Sequence, residues 1–230
     1  MDVVLPPEVV SCLDGDMEEV PGLAHPAADR ALPMAGAVVE RRDALRNRLR
    51  VLAAAQHLLS ESGVEAVEIR EVARVAGVGV GTVYRRFGDK GGLCAALLDE
   101  LERSFQERLL NGPPPLGPGA PPRERLIAFL HALTDLTDDN LPLLRMLQGS
   151  TPGKRFHVGA YRAWRQHAAV LLTDAAPGID AAWFADLLLS PLAADLYHHQ
   201  RYELGVARER LRQNLEHAVD AVLRAPPAPG

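Results

Sequence analysis

From Asp43 onward, apolar residues fall at helical spacing and keep it almost to the end of the chain. Leu45, Leu49, Leu52 and Leu59 make one stripe, Arg46, Arg48 and Arg50 lie around the other side, and Gly63 closes the segment. Ile69, Val72, Ala73 and Ala76 repeat at i, i+3, i+4 and i+7, which predicts a second, short helix. Gly77 follows at a point where φ must turn positive or a neighbour must pack closely. A third short helix is expected over 79–87, burying Val83 and Phe87. Gly88 ends it, and Asp89 is placed to cap a fourth helix with Leu93, Leu97, Leu98 and Leu101 on its apolar side.

Residues 112–122 (GPPPLGPGAPP) admit neither helix nor central strand and separate a short N-terminal unit from a longer C-terminal one. Beyond them the spacing predicts helices over roughly 123–138, 140–148, 156–175, 180–203 and 206–224, and no alternating run suggests a sheet. The expected fold is all-α: a three-helix helix-turn-helix unit followed by a helical bundle. Three regions are expected: a disordered acidic tail over 1–40, the helix-turn-helix unit over 41–98, and a bundle over 99–230. Met17 and Met34 lie in the tail, so translation can begin at Met1, Met17 or Met34. Residues 181–196 hold only two charges, so that helix is apolar nearly all round and must be covered, with Pro191 kinking it or starting a new segment. The last helix sets Leu211, Leu215, Ala218 and Val222 opposite Arg208, Arg212 and Glu216. Leu187, Leu188 and Leu192 with that last stripe are the expected surface of a homodimer.

Charge sharpens this division. The formal net charge is −5, but 1–40 carries 8 acidic and 1 basic residue, 41–98 carries 6 and 10, and 99–230 carries 16 and 14. Only the middle segment offers a positive footprint for phosphates. Cys12 and Cys94, the two cysteines, make no metal spacing and no disulfide framework. His198 and His199 point about 100° apart on a helix, so they are no chelating pair. Neither a metal nor a cofactor is expected, and no Ser-His-Asp, Cys-His or paired-carboxylate arrangement argues for an enzyme. No stretch reaches the ~18 apolar residues of a membrane span, and the N-terminus lacks the basic start of a secretory signal, so a cytoplasmic protein is expected.

Residues 46–98 resemble the DNA-binding unit of the tetracycline-repressor (TetR) family of bacterial transcriptional regulators. The resemblance runs through Ala53-Ala54-Ala55, Gly63, Val72-Ala73, Ala76-Gly77-Val78, Gly81-Thr82-Val83-Tyr84, Phe87, Asp89-Lys90 and Leu93, about a quarter of the chain. It implies a homodimer whose recognition helices (79–87) enter successive major grooves of a near-palindromic operator. It also implies that a small molecule held among the C-terminal helices changes the spacing of the two DNA-binding units. One departure is Val67-Glu68, where many relatives place a Thr or Ser cap.

On that resemblance Tyr84 and Lys90 match positions that grip phosphates, and Thr82 stands where a hydroxyl does the same. Gly79, Val80 and Gly81 bring no hydrogen-bonding group to base edges, although Val80 can touch a thymine methyl. Arg70 and Arg85 are the expected base readers and Arg86 a further contact, with the reading of all three as phosphate clamps left open.

In the C-terminal half, Phe105, Phe129, His131, Met146, Tyr161, Trp164, Trp183 and Phe184 are candidate pocket residues, although the helical spacing of each, among apolar neighbours, is first of all that of ordinary core packing. His131, Tyr161 and the tryptophans combine bulk with a polar handle, as pockets require. The expected function is a ligand-responsive repressor. The alternatives are a helical small-molecule-binding protein and a DNA-binding regulator without an effector.

Overall fold

The computed structural model describes residues 35–148 and 159–226, with side chains described over 43–147 and 159–226. Every described element is helical, and among the described residues there is no strand. Of the expected tail over 1–40, residues 1–34 lie outside the described residues, and 35–40 belong to the first helix.

The first helix, α1 (Ala35–Ser62), begins eight residues before Asp43. That corrects the start at 41: Pro33 is the last proline before it, and the alanines and valines that follow give no reason to stop a helix. A single turn over Val64–Ala66 leads to α2 (Ile69–Ala76), α3 (Val80–Phe87) and α4 (Lys90–Asn111). Ile69, Val72, Ala73 and Ala76 are all buried, as their spacing predicts. The α1 stripe is rotated from the expected one. Val51, Leu52, Ala55 and Leu59 face the core, while Leu45 and Leu49 are exposed because they lie to one side of that face. Arg48 sits on the buried side instead and pairs with Glu100 of α4 at 3.3 Å.

Six more helices follow among the described residues: α5 (Pro122–Asp139), α6 (Leu141–Gln148), α7 (Gly159–Ala175), α8 (Ala181–Leu189), the short α9 (Ala194–His198) and α10 (Arg208–Val222). Pro122 opens α5 at the one helical position where a missing N–H costs nothing. The expected helix over 180–203 is broken. A 3-10 turn spans Ser190–Leu192, Ala193 is extended, and the short α9 (Ala194–His198) runs into a π-helical turn over His199–Glu203. Pro191 cannot donate to the helix ladder, and its ring would strike the carbonyl four residues back.

Apolar side chains gather in three clusters. One joins α1, α2, α3 and the first half of α4 (Leu93, Cys94, Leu97) and takes Leu143 from α6. A second joins the second half of α4 (Phe105, Leu109) to α5, α7, α8 and α10. A small third one collects Leu141, Ala194, Tyr197 and Leu211. The α4 helix runs unbroken across residues 98 and 99 and belongs to two cores at once.

Leu188, Leu211, Leu215 and Val222 are buried inside the chain's own core, and Leu192 and Ala218 pack against it. Those expected interface positions are therefore consumed within one protomer, and Leu187 alone among them is exposed. The physical reason is the C-terminal end of α5, where Asp135, Asp138 and Asp139 face a negative helix terminus. Arg208 reaches Asp135, Asp138 and Asp139 at 3.5, 3.4 and 2.9 Å, Arg201 reaches Asp138 at 2.8 Å, and Arg212 pairs with Asp135. These ion pairs draw α10 and its apolar stripe down onto α5.

Candidate nucleic-acid interface and effector cavity

Local backbone chemistry builds the α2–α3 hairpin. Gly77 adopts the left-handed conformation (φ 62°), and its N–H and that of Val78 close α2 on Arg74 and Ala73 carbonyls at 3.2 and 3.0 Å. A Cβ there would be strained by that φ and would meet the Arg50 guanidinium at 2.8 Å. Arg50 itself donates to the Gly77 carbonyl at 3.3 Å, so α1 clamps the turn. The Asp89 carboxylate accepts the Gly92 N–H at 2.8 Å and starts α4 in the way its position predicts.

The expected contact residues lie on one side of this hairpin. Val83 is fully buried and Phe87 half-buried, so α3 turns Val80, Gly81, Tyr84, Arg85 and Arg86 outward. Val80 is 37% and Tyr84 50% exposed, one turn apart on the same face. Thr82 is half-buried at the helix start, and Arg70 is exposed on the first turn of α2.

Ion pairs sort the cations of this face. Arg74 is held by Glu71 through two contacts of 2.9 and 2.5 Å. Arg86 donates to the Ala44 carbonyl at 3.1 Å and braces α3 against α1. The Lys90 ammonium contacts Glu68 at 2.9 Å and Glu65 at 3.6 Å and donates to the Glu65 carbonyl at 3.2 Å. Burial works against the charge of Lys90, but Glu68 and Glu65 outweigh it and hold the ammonium pKa above its ordinary value. Arg70 and Arg85, by contrast, have no hydrogen-bond or ion-pair partner among the described residues. Sequence reasoning places Arg50 on the first helix and Glu68 before the second but gives neither a role at this face. Their signal is long-range, since each acts on an element more than twenty positions away.

A family model described as bacterial regulatory proteins, tetR family, matches residues 51–97, the α1–α4 segment whose geometry is set out above. Over this unit the chain is similar to the tetR family of bacterial regulatory proteins. An HTH-type transcriptional regulator of Staphylococcus aureus (strain bovine RF122 / ET3-1) is 44% identical over 54 residues, 24% of this chain and 29% of that protein. The chain is thus matched to less than a third of the length of this curated relative. Two solved structures share the tetR-like fold over more of the chain. A transcriptional regulator from Rhodococcus sp. Rha1 has a TM-score of 0.60 at 22% identity, covering 77% of this chain and 96% of that one. A TetR-family transcriptional regulator from Pectobacterium atrosepticum also has a TM-score of 0.60 at 22% identity, covering 82% and 99%.

A cavity of about 500 Å³ lies between α4 and the helices that follow it. From α4 it is lined by Ala95, Leu98, Asp99 and Glu102, and from α5 by Leu133, Leu136 and Thr137. Leu144 and Leu147 of α6, Tyr161 and Trp164 of α7, and Leu189 and Leu192 close the rest. Of the eight candidate pocket residues, Tyr161 and Trp164 reach it. The Tyr161 hydroxyl donates to Asp186 at 2.7 Å, an acceptor shared with Arg165. Phe105 and Phe129 are instead core residues with ring centroids 6.0 Å apart, and Phe129 also packs edge-on against His167. His131 is half-buried away from the cavity, and Met146 is exposed. Trp183 is 57% exposed and packs edge-on against Phe184 outside it. Helical spacing places all eight toward the bundle, but only the packing of α4 against α7 decides which of them border empty space. His198 and His199 both turn to Glu203, at 3.6 and 2.6 Å. Among the described residues no helix is long and apolar enough to cross a membrane.

Glu102 stands apart chemically. Burial, and after it the negative charge of Asp99, pushes its carboxyl pKa up to about 7. The stability this side chain allows is fully present below the ordinary carboxyl pKa and is lost as pH rises through about 7, where it must carry an unpaired charge. Glu102→Gln is therefore expected to stabilise the protein at pH 8 by on the order of 2 kcal/mol and to leave it nearly unchanged at pH 4. Thermal melts at the two pH values check this, and a variant no more stable than the wild type at pH 8 refutes it.

Proposed function

We propose that the chain is a DNA-binding transcriptional regulator, a homodimeric repressor that leaves its operator when a small molecule fills the C-terminal cavity. The observation that carries this reading is the unpaired state of Arg70 and Arg85 on the exposed face of the α2–α3 hairpin, beside Tyr84. A fold that gives internal partners to Arg48, Arg50, Arg74, Arg86 and Lys90 leaves these two guanidinium groups to solvent. Guanine offers the planar, bidentate acceptor pair that such groups suit. In this reading Val80 meets a thymine methyl, Tyr84 and Thr82 take phosphate oxygens, and Arg86 lies close enough to the backbone to add to the positive field. Lys90 joins them as a phosphate contact whose charge Glu68 partly offsets.

The dimer brings two α3 helices into successive major grooves roughly 34–36 Å apart, so the operator is a near-palindrome. The exposed apolar residues of α8, Trp183 and Leu187, replace the α10 stripe as the surface this dimer would cover. Action on chromosomal DNA places the protein in the cytoplasm.

Selection of bound duplexes from random DNA, together with the mass of the complex, tests the whole reading. The expected result is a twofold-related motif bound by two chains. Binding of all duplexes alike, or by a single chain, overturns it.

A further inference from the structure

The walls of the cavity differ sharply in character. Leu133, Leu136, Leu144 and Leu189 present hydrocarbon, and Trp164 adds an aromatic ring. Opposite that wall, α4 brings Asp99 and Glu102 into the lining, close to one helical turn apart. Neither carboxylate has a hydrogen-bond or ion-pair partner among the described residues, and no lysine, arginine or histidine is among the described residues that line the space.

Asp99 is exposed and Glu102 half-buried, so an unpartnered like charge beside an apolar wall costs the fold chiefly at Glu102, which is desolvated without compensation. Glu102 bears that cost, as the upward displacement of its pKa records. A cation entering the cavity would relieve both carboxylates at once, and the Trp164 ring is a surface on which organic cations rest favourably. A carboxylate or phosphate ligand would meet repulsion from both. The indole N–H of Trp164 is buried without an acceptor, but one neutral donor does not offset two carboxylates. A bare metal ion fits poorly as well: among the described residues no group of three ligating side chains exists, and leucines are no ligands. The volume of about 500 Å³ falls in the range that holds a drug-sized molecule.

We propose that the cavity receives an apolar organic cation, its charge between Asp99 and Glu102 and its hydrocarbon body against the leucine wall. As the identity of an effector, this rests on the reading of the chain as a ligand-responsive regulator; as a binding preference it stands on the cavity alone.

Three probes with one ten-carbon tail separate the possibilities: decyltrimethylammonium, 1-decanol and decanoate, each kept below its micelle concentration. Calorimetric titration of the full chain should show the cation binding at least roughly tenfold more tightly than the alcohol or the acid, the scale of a charge pair in a partly desolvated site. Glu102→Gln and Asp99→Asn should each weaken the cation by roughly three- to tenfold and leave decanol within about twofold. Equal affinity for decanol or decanoate overturns the proposal. So does unchanged cation affinity in both variants, once circular dichroism shows them folded. Release of the selected duplex, followed by fluorescence anisotropy in the same titrations, separates the two readings. Cation binding without release overturns the effector role and supports the cavity preference. Release by decanol or decanoate, but not by the cation, overturns the preference and supports the effector role.

Discussion

Asp138→Ala is expected to lower the stability of the protein by about 3 kcal/mol, the usual cost of removing one partner from a largely buried ion pair. Asp138 is 11% exposed and receives Arg201 at 2.8 Å and Arg208 at 3.4 Å. Without it, Arg201 retains the carbonyl of Val206 at 2.8 Å but loses its counter-charge, and the buried Tyr197 hydroxyl loses the neighbour beside it. For a chain of this size the fall in melting temperature should be about 10 °C. The pH dependence is distinctive. Burial alone would raise the Asp138 pKa, but Arg201, Tyr197 and Arg208 outweigh it and hold the carboxyl below its ordinary value. Its contribution is therefore present above the ordinary carboxyl pKa and disappears as pH falls through the lowered one. The wild type should lose this stability in acid, and the variant should have none there to lose. Melts at pH 7 and across the acid range measure both, and a shift under about 2 °C at pH 7 would show the pair to be dispensable.

The second large effect concerns DNA. Arg85→Ala and Arg70→Ala should each weaken binding to the selected operator by about 1–3 kcal/mol, roughly ten- to a hundredfold, and relax preference at one position of each half-site. On random duplex DNA the same variants should lose much less. Glu68→Gln supplies the contrast: it removes a negative charge from the same face and loosens Lys90, so it should strengthen binding to every duplex alike. Anisotropy titrations on both DNAs at fixed salt decide the assignment. Equal losses on operator and random DNA would make the two arginines phosphate clamps.

What was legible in the sequence follows the range of the interactions involved. The Gly77 turn, the Asp89 cap, the four buried positions of α2 and the stop at Gly63 depend on residues within a few positions of one another, and each is found where its chemistry places it. The break after Leu189 was announced by Pro191, although proline alone does not distinguish a kink from a 3-10 turn followed by a new helix. Burial in α10 is different. Leu211 and Leu215 read as an interface from their apolar stripe, and the structure instead buries them where Arg208 and Arg212 pair with Asp135 and Asp139, some seventy residues earlier. The cavity was the least legible feature. Phe105 and Phe129 match Trp164 in bulk and helical spacing, but empty space is a property of four packed helices and leaves no mark on any one of them.

One helix belongs to two cores. In α4, Leu93, Cys94 and Leu97 hold the α2–α3 hairpin, and Ala95, Leu98, Asp99 and Glu102 border the cavity within the same few turns. From Lys90 to Glu102 the helix rises about 18 Å, so a tilt of about 5° centred on the cavity carries its first residue by about 1.5 Å. Such a rod makes the two ends one thermodynamic system. Whatever factor a cavity occupant takes from the affinity for DNA, DNA must take from the affinity for the occupant. On the proposed function, a chain already seated on its operator would be the poorest receptor for the molecule that removes it, and free chains would fill first.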